Sequence, residues 1–142
     1  MSDAPTGTDN PQRSNRLDSL TVLVYSDDAD TRRQVIDGLG ERPHPDLAPL
    51  TFREVATAAV VIRELDSHTV DLVILDGEAA PVGGLGIAKQ LKDEIDDCPP
   101  VVVLIGRAAD RWLADWSRAE AVVPHPIDPF VLTDAVVSAL RR

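Results

Sequence analysis

Asp27 and Asp76 each stand at the end of a short apolar run, and each has polar company. Ser26 and Asp28 flank the first; Gly77 and Glu78 follow the second. Two further apolar runs end in Ile105-Gly106-Arg107 and Pro124-His125-Pro126. Carboxylates brought to one spot by separate elements repel each other, and a bound cation relieves that cost. Oxygen ligands with room for water suit magnesium. The blander reading makes such acids helix caps or solvated loop residues. That reading is preferred for Asp28 and Asp30, whereas Asp27 and Asp76 together read as a site. No serine, cysteine or histidine triad is legible. Ser26 has no evident base, His125 being the one the fold could bring near, so hydrolase chemistry is not expected.

The elements that must position these residues are easily drawn. Leu20–Tyr25, Val70–Leu75, Val101–Ile105 and Ala121–Val123 are rich in Val, Ile and Leu and do not alternate with polar residues. Such runs suit parallel strands covered on both faces. Leu50–Val55 is a weaker fifth candidate. Helical spacing lies between them. In Asp30–Leu39, Val35, Ile36 and Leu39 share a face, and Gly40 can stop the helix. Ala56–Leu65 places Ala58, Ala59, Ile62 and Leu65 at helical intervals, and Gly84–Ile95 does so with Leu85, Ala88, Leu91 and Ile95. Asp110–Ser117 is short. Asp128–Leu140 begins with Asp128 as a possible N-cap and Pro129 in its first turn. Five strand–helix units in a row predict an α/β fold, a doubly wound five-stranded parallel sheet of the flavodoxin-like order 2-1-3-4-5. In such sheets ligands sit beyond the carboxyl ends of the strands, where Asp27 and Asp76 stand.

Composition excludes several function classes. The chain has 142 residues, 44% of them apolar but only 4% aromatic, so its core is aliphatic. Acidic residues outnumber basic ones 24 to 14, for a formal charge of -10. That charge repels phosphate backbones and argues against nucleic-acid binding. Cys98 is the only cysteine, which rules out an internal disulfide and a cysteine-built zinc cage. No run is long enough for a membrane span, and the start lacks a signal-peptide core. The expectation is a cytoplasmic protein with a disordered tail over 1–19 and one domain over 20–142. His44 and His68 fall in polar loops and are expected to be solvated. Glu41–Pro49, with three prolines, reads as a surface loop. Gly83-Gly84-Leu85-Gly86 lacks the spacing of a phosphate-binding motif and reads as a flexible approach to the third helix.

The ordered set of motifs resembles the response-regulator receiver (CheY-like) domain. Val22-Leu23-Val24-Tyr25-Ser26-Asp27-Asp28 is similar to the first strand and acidic pair. Asp71-Leu72-Val73-Ile74-Leu75-Asp76 is similar to the strand leading to the phosphoacceptor. Gly84-Leu85 and His125-Pro126-Ile127-Asp128-Pro129 stand where receivers carry Gly-Leu and Lys-Pro-Phe-Asp-Pro. The resemblance covers the chain from Leu20 onward. It implies phosphorylation of Asp76 by a histidine kinase or small phosphodonor. Asp27, Asp76 and the backbone carbonyl of Glu78 would hold magnesium. It also implies a cis bond between His125 and Pro126, and an output face made by the fourth helix, fifth strand and fifth helix.

The departures define the expectation further. Ser26 replaces the first acid of the pair, Ile105 the hydroxyl residue of the fourth strand, Val122 the aromatic of the fifth, and His125 the lysine. The proline usual four residues after the aspartate stands at Pro81. A phosphoryl group needs cations and donors, and this pocket offers fewer of both. Neighbouring carboxylates would favour a protonated His125, and burial would oppose it. The chain thus resembles an atypical stand-alone receiver of the actinobacterial type, with a weak magnesium site. It is expected to work through a protein partner as a regulatory or accessory subunit. The respiratory NADH dehydrogenase is one candidate partner, implied by the resemblance only. The alternative is a phosphorelay switch at Asp76; an enzyme is not expected. Trp112 and Trp116, four apart, share one helix face. At least one of them is expected to cap the core beside the fifth strand, and either could anchor a partner.

Overall fold

In the computed structural model, residues 19–80, 82–106 and 111–141 are described. Of the expected tail only Ser19 falls within them, and Pro81 and Asp110 lie outside. The strands are β1 (Leu20–Tyr25), β2 (Leu50–Val55), β3 (Leu72–Asp76), β4 (Val101–Ile105) and β5 (Ala121–Pro124). The helices are α1 (Ala29–Leu39), α2 (Ala58–Ser67), α3 (Gly84–Glu94), α4 (Arg111–Ser117) and α5 (Pro129–Leu140). All strand pairs are parallel, in the order β2-β1-β3-β4-β5. The expected sheet is therefore the observed one.

The apolar strands are divided between two cores by their two-residue period. Val22, Val24, Leu72, Ile74, Val102, Leu104 and Val123 face one side, where Val35 and Leu39 of α1 and Leu132 and Val136 of α5 cover them. Leu23, Tyr25, Val73, Leu75, Val101, Val103 and Ile105 face the other, against Val61 of α2 and Ile87, Ala88 and Leu91 of α3. Burying each such side chain contributes roughly 1.5–3 kcal/mol. This two-sided burial is why the central strands β3 and β4, buried throughout, carry no polar alternation.

Several boundaries differ from expectation. The second helix starts at Ala58 rather than Ala56, and Ala59 is exposed while Val61 is buried. The third strand starts at Leu72 rather than Val70: Asp71 instead accepts the Thr21 N–H through its carboxylate at 2.8 Å. It ends on Asp76 itself, so that aspartate belongs to the strand. Asp128 caps α5, its carboxylate accepting from Phe130 N–H at 2.8 Å, with Pro129 at the first helical position. His44 is not merely solvated. Its ring lies 3.2 Å from an Arg141 nitrogen and accepts from Asp46 N–H at 3.0 Å, fastening the 41–49 loop to the end of α5. His68 is half-exposed and 3.6 Å from Glu64.

Trp112 and Trp116 depart furthest from expectation. Both are exposed, at 67% and 49%, so neither caps the core. The helix α4 spans less than two turns and ends on the buried Ser117. Positions 112 and 116 share the outward face. Trp116 meets the Lys89 ammonium from α3, 5.7 Å from its ring centroid.

Candidate functional site

The carboxyl ends of β1, β3, β4 and β5 bring Ser26, Asp76, Ile105 and His125 together. Gly84 makes the close packing under this end possible. A Cβ there would fall 2.8 Å from the Asp76 carbonyl oxygen and from Leu75, so only glycine lets α3 start against the end of β3.

Asp76 is buried, at 3% exposure. Its Oδ2 accepts from the Ser26 hydroxyl at 2.8 Å. Its Oδ1 accepts from Glu78 N–H at 2.9 Å and lies 3.3 Å from His125 Nε2. Ser26 is fully buried and also accepts from Asp28 N–H at 3.0 Å through its hydroxyl. Serine therefore links the end of β1 to the aspartate where a second carboxylate would repel it. Arg32 supports the same turn from the start of α1. It donates to the Ser26 carbonyl at 2.5 Å and to the Glu54 carboxylate at 3.0 Å. Nothing in the spacing of the chain singled out Arg32, because its role depends on the α1–β2 contact.

Asp27 is exposed and accepts from Ala80 N–H at 3.2 Å. It holds the loop after β3 as well as bringing charge to the mouth. Asp28 caps α1 through Asp30 N–H at 2.9 Å, as expected of a capping residue. Tyr25 is buried, and its hydroxyl donates to the Val82 carbonyl at 2.5 Å. Burial raises the Tyr25 pKa first, and the negative charges of Asp27 and Asp76 add to it. Ile105 is fully buried and presents no hydroxyl. The His125–Pro126 bond is cis, as expected.

The donor set has oxygen chemistry suited to magnesium but little charge. Among the described residues, no three His, Cys, Asp or Glu side chains converge as a metal cluster. Asp27 and Asp76 supply two carboxylates, one already bonded to Ser26, and water and main-chain oxygen would have to complete the shell. The residue types fit the oxygen chemistry of magnesium. Cys98 takes no part: it is half-buried away from these residues, and burial raises its thiol pKa. Among the described residues no helix is long and apolar enough to cross a membrane.

No family model matches the chain. Relatives are nonetheless clear. Uncharacterized response regulatory proteins of two Mycobacterium tuberculosis strains are 61% identical over 123 residues, covering 87% of this chain and 92% of theirs. Solved folds agree. The Francisella response regulator 1452 receiver domain superposes with a TM-score of 0.72 at 15% identity, over 87% of this chain and 98% of that one. The chemotaxis response regulator CheY4 of Vibrio cholerae gives 0.71 at 16% identity, over 86% and 99%. With that sequence identity, the parallel 2-1-3-4-5 sheet and a buried aspartate ending its third strand, this chain belongs to the response-regulator receiver family.

Proposed function

We propose that this receiver acts chiefly as a protein-docking regulatory subunit in which the phosphoryl chemistry of Asp76 is weakened. The observation that carries the reading is what surrounds the Asp76 carboxylate. Ser26 and the Glu78 N–H hold its oxygens, His125 stands in the lysine's place, and Ile105 is buried at the end of β4. A phosphoryl group brings roughly two negative charges. Ile105 cannot donate to it, and an imidazole is a poorer countercharge than an ammonium. Magnesium, held by Asp27, Asp76 and the Glu78 carbonyl, would supply positive charge for phosphoryl transfer. With Ser26 adding none, its affinity is low.

The docking face is the fourth helix, fifth strand and fifth helix, with Trp112 and Trp116 as anchors. Their exposure supports this role, since tryptophan is enriched among residues that carry binding energy. The respiratory NADH dehydrogenase is the candidate partner, on resemblance to actinobacterial stand-alone receivers alone. A cytoplasmic location is part of the same reading.

A second reading is a phosphorelay switch, with Asp76 modified by a histidine kinase. The burial of Asp76 at the end of β3 favours it. One experiment separates the two. The protein is incubated with magnesium and acetyl phosphate, and its intact mass is followed. Slow, partial modification absent from Asp76→Asn supports the docking role. Rapid, near-complete modification, again lost in Asp76→Asn, replaces it with the switch. Affinity purification from native cells then identifies the partner.

A further inference from the structure

Gly106, directly after β4, has the Glu78 carboxylate packed against its open side. A Cβ on it would collide with the Glu78 carboxylate, carbon and both oxygens alike. The Glu78 side chain therefore lies over the Gly106 backbone. The turn that carries it is fastened at two points. Gly77 N–H donates to the Leu104 carbonyl at 2.7 Å, and Glu78 N–H to Asp76 Oδ1 at 2.9 Å. Glu78 thus gives Asp76 a main-chain donor while holding its own negative charge at the end of β4. Asp76 is buried, and Glu78, two residues on in the same turn, is exposed.

We propose that Glu78 is an electrostatic gate on Asp76, repelling small dianionic phosphodonors, and that Gly106 is the positioning residue that seats its carboxylate there. The proposal rests on the reading of Asp76 as a phosphoacceptor. In the gated step an Asp76 carboxylate oxygen attacks the phosphorus of acetyl phosphate. The phosphorus–oxygen bond to the acetyl group breaks, acetate leaves with the electron pair, and no proton is transferred. Donor, Glu78 and Asp76 are all negative and lie within a Debye length, so the repulsion is felt at low salt and screened at high salt.

The test measures initial rates of Asp76 modification by acetyl phosphate at saturating magnesium, at low and high ionic strength. It compares the natural protein, Glu78→Gln, Gly106→Ala and the double variant, with Asp76→Asn as blank. Glu78→Gln keeps the shape of the side chain and removes its charge. It should react about fivefold faster at low salt, and the acceleration by salt seen in the natural protein should shrink. Gly106→Ala displaces the carboxylate and should shift rate and salt dependence the same way. The double variant should be no faster than Glu78→Gln alone, because both changes act through one charge. Thermal melts exclude misfolding of Gly106→Ala, and Glu78→Gln tests the gate without altering the backbone. An unchanged rate and salt dependence in Glu78→Gln overturns the gate. So does a lack of Asp76 modification in every protein, since lifting the gate then opens nothing. Fast modification of the natural protein at low salt overturns the weakened-chemistry reading as well. Slow modification with an unaffected Glu78→Gln overturns the gate alone.

Discussion

The Ser26 hydroxyl donates to Asp76 Oδ2 across 2.8 Å, and both side chains are shut away from solvent. A neutral hydroxyl thus holds one oxygen of the buried aspartate, while the Glu78 N–H and the His125 ring stand at the other. Ser26→Ala should destabilise the fold by about 1–3 kcal/mol, because it leaves a buried carboxylate oxygen and the Asp28 N–H without their partner. Ser26→Asp should also lower the melting temperature in metal-free buffer, by like-charge repulsion. Added magnesium should restore much of that loss, and should do so far less in the natural protein. Thermal melts with and without magnesium check both; equal magnesium shifts in the two proteins would remove the role given to Ser26.

Tyr25 is the only tyrosine, so its ionisation can be followed by absorbance without interference. Its pKa is raised above the ordinary value near 10 by burial and then by Asp27 and Asp76. A group whose folded-state pKa is raised stabilises the protein fully below its unfolded value and loses that contribution as pH rises through the folded one. Stability should therefore fall with pH above about 10, and Tyr25→Phe should abolish this part of the slope. The same variant strands the Val82 carbonyl and should cost about 1 kcal/mol at neutral pH. In Asp76→Asn the Tyr25 titration should move down toward its ordinary value, since one of the charges opposing the phenolate is gone.

Ile105 fills the second core and is almost fully buried. Ile105→Thr should lose about 1–3 kcal/mol of stability, from the removed methylene and an imperfectly satisfied hydroxyl. Combined with His125→Lys and Ser26→Asp, it should nevertheless raise Asp76 modification by acetyl phosphate by about tenfold or more, since each change adds a donor or a charge for the phosphoryl group or its metal. Intact-mass kinetics provide the check. No gain in the triple variant, if it is folded, would show that the departures are not what limits the chemistry.

Trp112 and Trp116 are the only tryptophans, and both are exposed. Fluorescence should be red-shifted and readily quenched by iodide. Trp112→Ala should leave stability nearly unchanged, and Trp116→Ala should cost only the Lys89 contact, on the order of 0.5–1 kcal/mol. Loss of a binding anchor typically costs about 2 kcal/mol, roughly a thirtyfold weaker complex. Each variant should therefore recover less partner while melting like the natural protein. Undiminished recovery by both variants places the docking face elsewhere.

Much of the sheet was legible in the sequence because parallel strands buried on both faces are continuously apolar, as in Val101–Ile105, which coincides with its expected range. Leu50–Val55 also coincides, but as an edge strand carrying Thr51, Arg53 and Glu54 it gave a weaker signal. The capping roles of Asp28 and Asp128 were legible too, since a cap is fixed by residues two or three positions away. Only the tertiary structure decided what depends on contacts between distant segments. It put the Ser26 hydroxyl on Asp76, laid the Glu78 carboxylate over the bare Gly106, and set Arg32 under the Ser26 carbonyl. Helical spacing showed that Trp112 and Trp116 share a face. It could not show which way that face turns, because orientation is set by how α4 packs against α3 and buries Ser117. Periodicity encodes which residues travel together along an element, whereas the neighbours of a side chain at a strand end are chosen by loops that converge only when the sheet has formed.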